Sequence, residues 1–484
     1  MREKLLALIL MSNACAGAPD DRTELREVAR LKAHPNRDLD LLFVIDNSPS
    51  MADKQASLAA SFPAMMDVLA TVDGGLPDLH IGVVTSDMGT TTPNGTAEDI
   101  GLPGSGGCAG AGDDGVLVQG ASIADRYIVD VAVDTASGEG ARRRNYTGAL
   151  RDAFRELATV GEAGCGFEQH LAAMRRALVQ PANEGFLRPN ANLAVVFLAD
   201  EDDCSALDPL LFSPAGTLLP GSEAGSGSGA GSGSGTDVGD GSGSGSGGGT
   251  SLGALHSFRC ARFGWECDQS LDEDGAKTNC RPRAGSPLVE HTGPFVEALR
   301  AAKPDPSMVM VAGIAGEPAP VEVAWGISQA TYTLAVSPSC TTTSSVGETY
   351  AADPAVRLDA FISDFGDLGT STSICDGDFT FPLAKIGHTA KRMIADPCLD
   401  TTTLVDSVAE LPGVQPACEL ADVSAAAPDV RSVLPPCSTT AQDCYELVED
   451  RAACPDTADH LRVAIHRAGE VSAETWTHVA CAVR

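Results

Sequence analysis

Basic residues are scarce in this 484-residue chain: 33 lysines and arginines stand against 66 aspartates and glutamates, a formal charge of −33. Such a balance repels phosphate backbones and anionic lipid surfaces, so nucleic acid is excluded as a main partner. Long apolar runs are missing as well. Beyond the first fifteen residues no segment approaches the ~18 continuous apolar residues of a membrane-spanning helix, so the body is expected to be soluble. Close cysteine pairs are absent. The tightest spacings, Cys260 to Cys267 and Cys437 to Cys444, leave six residues between the sulfurs' positions, which disfavours a zinc finger or ribbon. The nine histidines form no His-Glu-x-x-His pair, and His80, inside an apolar run, reads as a packed residue. Gly249-Thr250-Ser251-Leu252-Gly253 has the outline of a nucleophile turn, but it borders a glycine/serine tract with no strand before it. No enzymatic activity is expected.

A hydrophobic content of 43% is ample for a real core. The N-terminus reads as an export signal at 1–15: Arg2 and Lys4 give positive charge, Leu5 to Met11 an apolar stretch, and Ser12-Asn13-Ala14-Cys15 a small-residue end. It resembles a bacterial lipoprotein signal, which implies diacylation at Cys15, with Ser12 standing where leucine is usual; plain secretion is the alternative. Fourteen of the 15 cysteines then remain, an even number that favours up to seven disulfides in an oxidising compartment.

Residues 16–37 are polar and read as a tether with a short helix around Glu24 to Leu31. Order begins with Leu41-Leu42-Phe43-Val44-Ile45, a strand buried on both faces, followed by a helix over Ala52 to Leu69 with Leu58, Phe62, Met65, Met66 and Leu69 at helical spacing. Further strands are expected at Leu79 to Ser86, Leu193 to Leu198, Met308 to Ile314 and Tyr332 to Val336. Helices are expected at Tyr146 to Leu157, Phe167 to Val179, Gly293 to Ala302, Ala355 to Asp364 and Phe381 to Ile394. The alternation predicts an α/β fold, a doubly wound, mostly parallel, Rossmann-like sheet over 38–397. An insertion at 205–288 interrupts it, with a flexible Gly/Ser-rich linker at 221–250. From 398 to 484, six cysteines and short alternating segments predict a small disulfide-rich β domain.

In an open parallel sheet, ligands gather beyond the carboxyl ends of the strands. Asp46 and Asp200 both end apolar strand candidates. With the hydroxyls of Ser48 and Ser50 they make an all-oxygen set suited to a hard divalent cation, magnesium first, with calcium or manganese as alternatives. Serine and aspartate are also favoured in turns and as helix caps, which is the plainer explanation of the same residues. The following run Asp200-Glu201-Asp202-Asp203 reads as a solvated loop before it reads as a second cation site.

Leu42-Phe43-Val44-Ile45-Asp46-Asn47-Ser48-Pro49-Ser50-Met51 resembles the opening of von Willebrand factor A-type (VWA) domains, whose metal-ion-dependent adhesion site begins with Asp-x-Ser-x-Ser. Phe197-Leu198-Ala199-Asp200-Glu201 resembles the later strand of that family, which ends in Thr-Asp-Gly. The segments are similar to those of exported bacterial lipoproteins carrying such a domain. The resemblance implies that Ser48 and Ser50 bind metal directly, and Asp46 and Asp200 directly or through water, with a partner's carboxylate completing the shell. The family's third loop threonine has no clean counterpart; Glu162 or Thr159 is the expected substitute. The implied function is a cell-envelope binding or adhesion module recognising a protein partner, lipid-anchored through Cys15 or otherwise secreted. The alternative is a structural envelope lipoprotein that uses the VWA fold as a scaffold with a vestigial metal site.

Overall fold

The computed structural model describes residues 25–32, 36–72, 74–102, 105–133, 141–214, 217–218, 250–328, 331–343, 349–394, 398–408, 410–411, 413–424, 426–437, 443–451, 454, 457–468, 471 and 475–484. Cys15 with its leader, and all but the last residue of the Gly/Ser tract, lie outside them. The chain divides into two compact units, His34–Pro397 and Met1–Ala33 with Cys398–Arg484.

The larger unit is mixed α/β, built on a seven-stranded mixed sheet. Its strands are β1 (Asp38–Ile45), β2 (Asp78–Thr85), β3 (Ile128–Ala132), β4 (Arg142–Arg144), β5 (Asn192–Leu198), β6 (Val309–Ala315) and β7 (Gly369–Ser373), in the order β7-β6-β5-β1-β2-β3-β4. β7, β6, β5, β1 and β2 are mutually parallel, whereas β3 and β4 add antiparallel at the edge.

Strand alternation sends successive side chains to opposite faces, and here both faces are buried. Leu41, Phe43 and Ile45 of β1 pack on one face with α1 (Ala52–Leu69), α2 (Leu150–Ala158) and α7 (Thr380–Ile394). Leu42 and Val44 pack on the other with α3 (His170–Val179), α5 (Gly293–Ala301) and α6 (Val356–Ser363). Within the first layer Phe62 stacks on Phe154 at 3.8 Å between centroids. The remaining helix, α4 (Phe258–Gly264), belongs to the insertion and is tied back by Cys204–Cys260.

Three departures from the sequence reading have local causes. β3 and β4 were not anticipated, because buried Asp130 interrupts the apolar pattern and is held by Arg142 and Arg144. β7, Gly-Thr-Ser-Thr-Ser, carries no large apolar residue; it is an edge strand that pairs only with β6. The expected strand Tyr332 to Val336 exists as Thr331–Val336, but it lies in a separate three-stranded sheet with Val321–Ser328 and Gly275–Lys277.

In the smaller unit, Leu25–Lys32, Thr475–Ala482, Cys418–Ser424 and Ala427–Leu434 form a four-stranded antiparallel sheet in that order, and Cys444–Glu449 pairs with Leu461–His466. Leu420, Val463 and Val479 centre its core. The helix expected around Glu24 to Leu31 is corrected to a strand: so short a helix is marginal alone, and pairing with Thr475–Ala482 satisfies its backbone instead.

Seven disulfides join all fourteen described cysteines: Cys108–Cys165, Cys204–Cys260, Cys267–Cys280 and Cys340–Cys375 in the larger unit, and Cys398–Cys454, Cys418–Cys481 and Cys437–Cys444 in the smaller. This density points to an extracellular or periplasmic protein. Among the described residues no helix is long and apolar enough to cross a membrane.

Candidate functional site

The chain runs from β1 to β2 on one side and returns to β5 on the other, so a crevice opens beyond the carboxyl ends of β1 and β5. Asp46 sits at its floor: its N–H donates to the Leu198 carbonyl at 2.9 Å, prolonging the β1–β5 pairing by one residue. The Ser48 N–H donates to Asp46 Oδ1 at 2.7 Å, and the Met51 N–H donates to the Ser48 carbonyl at 3.2 Å, closing a tight turn into α1. Ser48 is buried and Ser50 is exposed. Their hydroxyl oxygens stand 3.4 Å apart, and the Ser50 hydroxyl donates to Asp200 Oδ2 at 2.6 Å. Neither serine caps α1 through its side chain, so the turn does more than start a helix.

Asp46, Ser48, Ser50 and Asp200 are therefore brought together. Glu162 is not: it is exposed, and the third loop delivers Glu168 and His170 instead. That loop is pinned at several points. Gln55 donates to the carbonyls of Asp46 and Gly161 at 3.0 and 2.8 Å, and the Gly164 N–H donates to the Asn47 carbonyl at 2.9 Å. A Cβ on Gly164 would lie 2.2 Å from the Asn47 Oδ1, so any larger residue here would have to displace the Asn47 side chain. Cys165 is fixed to Cys108, and the Cys204 N–H donates to the Glu168 carbonyl at 2.7 Å. With the loop held so, Glu162 points outward while Glu168, six residues on, is buried near Asp46.

The acidic run after β5 is not a solvated loop. Asp202 accepts from the N–H groups of Arg357 and Leu358 at 2.8 and 3.0 Å, capping α6, and Asp203 accepts from the Leu171 N–H at 2.9 Å while pairing with fully buried Arg357. Glu201 stays with the site, beside Glu168 and Asp353.

This concentration of carboxylates has electrostatic consequences. Burial, then the charge of Asp200, pushes Asp46 up to about 8. Glu168 is raised well above the ordinary range by burial and by Glu201 and Asp46. Burial and Asp353 push Glu201 up to about 8, and burial and Asp200 raise Asp353 to about 7. Burial lowers His170 to about 4, leaving a neutral imidazole with Nε2 3.9 Å from Asp46 Oδ2. One cation is built in: Lys54 Nζ donates to Asp200 Oδ2 at 2.8 Å and to the Ser50 carbonyl at 3.0 Å.

Around this crevice Asp46 Oδ2, Asp200 Oδ1, Glu168 Oε1, Asn47 Oδ1 and both His170 nitrogens are buried without a hydrogen-bond partner among the described residues. Buried polar atoms rarely stay unsatisfied, and orphan carboxylate oxygens fit the coordination of a hard cation. Elsewhere among the described residues, Glu317, Cys340 and Cys375 bring ligand atoms within 4.8 Å of one another, but those two sulfurs are already bonded to each other.

The sequence reading missed Lys54, Glu168, His170 and Asp353. Lys54 and His170 were legible only as polar residues on otherwise apolar helices. Asp353 was legible only as an acid just before a helix.

No family model matches the sequence, and no curated protein matches it. Among solved structures, the chain is similar to a conserved hypothetical protein, BatB, from Bacteroides thetaiotaomicron: TM-score 0.24, 10% identity, 73% of this chain and 98% of that one covered. It is also similar to the pilus adhesin RrgA from Streptococcus pneumoniae: TM-score 0.26, 10% identity, 95% of this chain and 58% of that one covered. Likenesses this loose carry no argument about function.

Proposed function

We propose that the chain is an exported binding protein of the VWA type that holds a divalent cation, magnesium first and calcium or manganese as alternatives, at Asp46, Ser48, Ser50 and Asp200. In this reading it recognises a protein partner at the cell envelope, anchored there through lipid on Cys15 or otherwise secreted. One observation carries the proposal: a carboxylate from each of two neighbouring parallel strands keeps an unpartnered buried oxygen at the point where the chain reverses direction across the sheet. A bound cation would supply positive charge to ionised Asp46 and Asp200 and present a coordination position to a partner's oxygen. In this reading the role is binding rather than catalysis, since the imidazole beside Asp46 is wholly buried and out of reach of a substrate.

The test is retention of envelope proteins by the purified full chain in magnesium and in chelator. A partner retained only in magnesium, and lost with Ser48→Ala/Ser50→Ala, supports the reading; retention indifferent to both sinks it.

Lys54 favours a second reading. An ammonium already seated on Asp200 neutralises part of the site from within, as a scaffold with a vestigial metal site would require. Chelator-insensitive partner binding by a folded protein is its expected signature.

A further inference from the structure

We propose that a cavity beside the Asp46 turn receives the cationic end of a lysine or arginine side chain presented by the partner. This deepens the binding role proposed above but does not depend on its metal. The cavity, of about 100 Å³, is walled by the carboxylates of Glu168, Glu201 and Asp353 and by the apolar surfaces of Phe258, Trp265 and Val336. Glu168 is only 1% exposed, yet its Oε1 has no partner. Glu168 shares a side-chain hydrogen bond with Glu201, and its remaining oxygen can accept a donor from an entering group.

The nearby cations are engaged elsewhere. Lys54 sits on Asp200, and Arg357 pairs through Nε and Nη2 with Asp203 and the Glu290 carbonyl, leaving Nη1 without a hydrogen-bond partner among the described residues. Arg259 donates to the carbonyls of Leu211, Ser213, Gly253 and Ala254. His256 also lines the cavity, but its Nδ1 accepts from the Phe258 N–H at 3.2 Å, which marks the neutral ring. Asp202 is fully occupied, by the two α6 N–H groups and by Trp265 Nε1 at 2.7 Å. Glu168, Glu201 and Asp353 thus face the cavity with no cationic side chain bonded to them among the described residues.

Geometry chooses the kind of cation. No three carboxylate, imidazole or thiol ligand atoms of the lining residues come within 4.8 Å of one another, so the acids of the cavity are dispersed. An ammonium or guanidinium reaches dispersed carboxylates through several charge-assisted hydrogen bonds, while its carbon stem lies along apolar and aromatic walls. Phe258, Trp265 and Val336 supply such walls.

The experiment uses the full chain in chelator, titrated with N-acetyl-lysine methylamide and N-acetyl-arginine methylamide, with N-acetyl-norleucine methylamide as the uncharged control. Binding is read by calorimetry and by the fluorescence of Trp265, one of three tryptophans. Saturable binding of at least one charged probe and none of norleucine is expected. Affinity should fall at least tenfold in Glu201→Gln/Asp353→Asn, and also in Ala335→Leu, which fills the cavity without altering its charge. Absence of saturation, equal binding of norleucine, or unchanged affinity in both folded variants overturns the proposal. So does competitive displacement of the probe by calcium, which would make the cavity a metal site. Lysine binding that persists in chelator while no metal binds at Asp46 would overturn the cation reading alone.

Discussion

Replacing Lys54 by methionine separates an internal counter-ion from a metal site. The Lys54 side chain is 5% exposed and its Nζ lies 2.8 Å from Asp200 Oδ2. Methionine keeps the stem's volume but leaves the carboxylate with only the Ser50 hydroxyl as a donor. Removing one partner of a buried pair costs roughly 3–5 kcal/mol, because the remaining charge is stranded. At ~2–4 °C per kcal/mol for domains of about 150–250 residues, and less for a larger unit, the melting midpoint in chelator should drop by on the order of 10 °C. A cation at a hundredfold excess over its Kd returns about 2.7 kcal/mol. Since the variant frees Asp200 Oδ2, its magnesium-induced rise in midpoint should exceed that of the wild type. The assay is differential scanning calorimetry of both proteins in chelator and in magnesium. An identical loss under both conditions would show Lys54 to be purely structural and would refute the reasoning.

In chelator, stability should fall between pH 6.5 and 8. Asp46 and Glu201 at about 8 and Asp353 at about 7 hold protons in the native state that the unfolded chain has already lost, so stability present at low pH disappears as pH climbs through these values. His170, lowered from 6.5 to about 4, acts oppositely but only below pH 6.5, where stability is lost as pH falls. Each retained proton gives a slope of about 1.4 kcal/mol per pH unit, which saturating magnesium should flatten; a denaturation midpoint that rises with pH in chelator would contradict this. Arg357→Met should cost roughly 3–5 kcal/mol in urea denaturation by stranding buried Asp203, and adding Asp203→Leu should recover part of that loss. Opening Cys204–Cys260 by double serine substitution releases a loop spanning 56 residues of sequence separation. In the chain-entropy model that costs about 4 kcal/mol, and a melting midpoint unchanged from wild type would exclude it.

Much of the larger unit was legible because its central strands are continuous apolar runs and its helices carry a 3.6-residue stripe. Val44-Ile45-Asp46 and Phe197-Leu198-Ala199-Asp200 could be placed side by side before any coordinates, since each ends a doubly buried strand on an acid. The edges were not legible. β3 holds a buried Asp130 and β7 is all small and polar, so neither carries the pattern that marks a strand buried on both faces. The third side of the site failed for a different reason. Glu162 and Glu168 lie on one glycine-broken loop, and which of them turns inward depends on long-range ties, Cys108–Cys165 and the Asn47 contact at Gly164, that leave no local trace. Lys54 was hidden in the same way, as a polar residue four positions after Ser50 whose partner lies 146 residues further along.

The most direct measurement is a calorimetric titration of the full chain with magnesium, calcium and manganese, wild type against Ser48→Ala/Ser50→Ala, with circular dichroism to show that both are folded. A cation bound at Asp46, Ser48, Ser50 and Asp200 requires one saturable site in the wild type that the double variant loses. No binding by any of the three ions, or isotherms that superimpose, would contradict it.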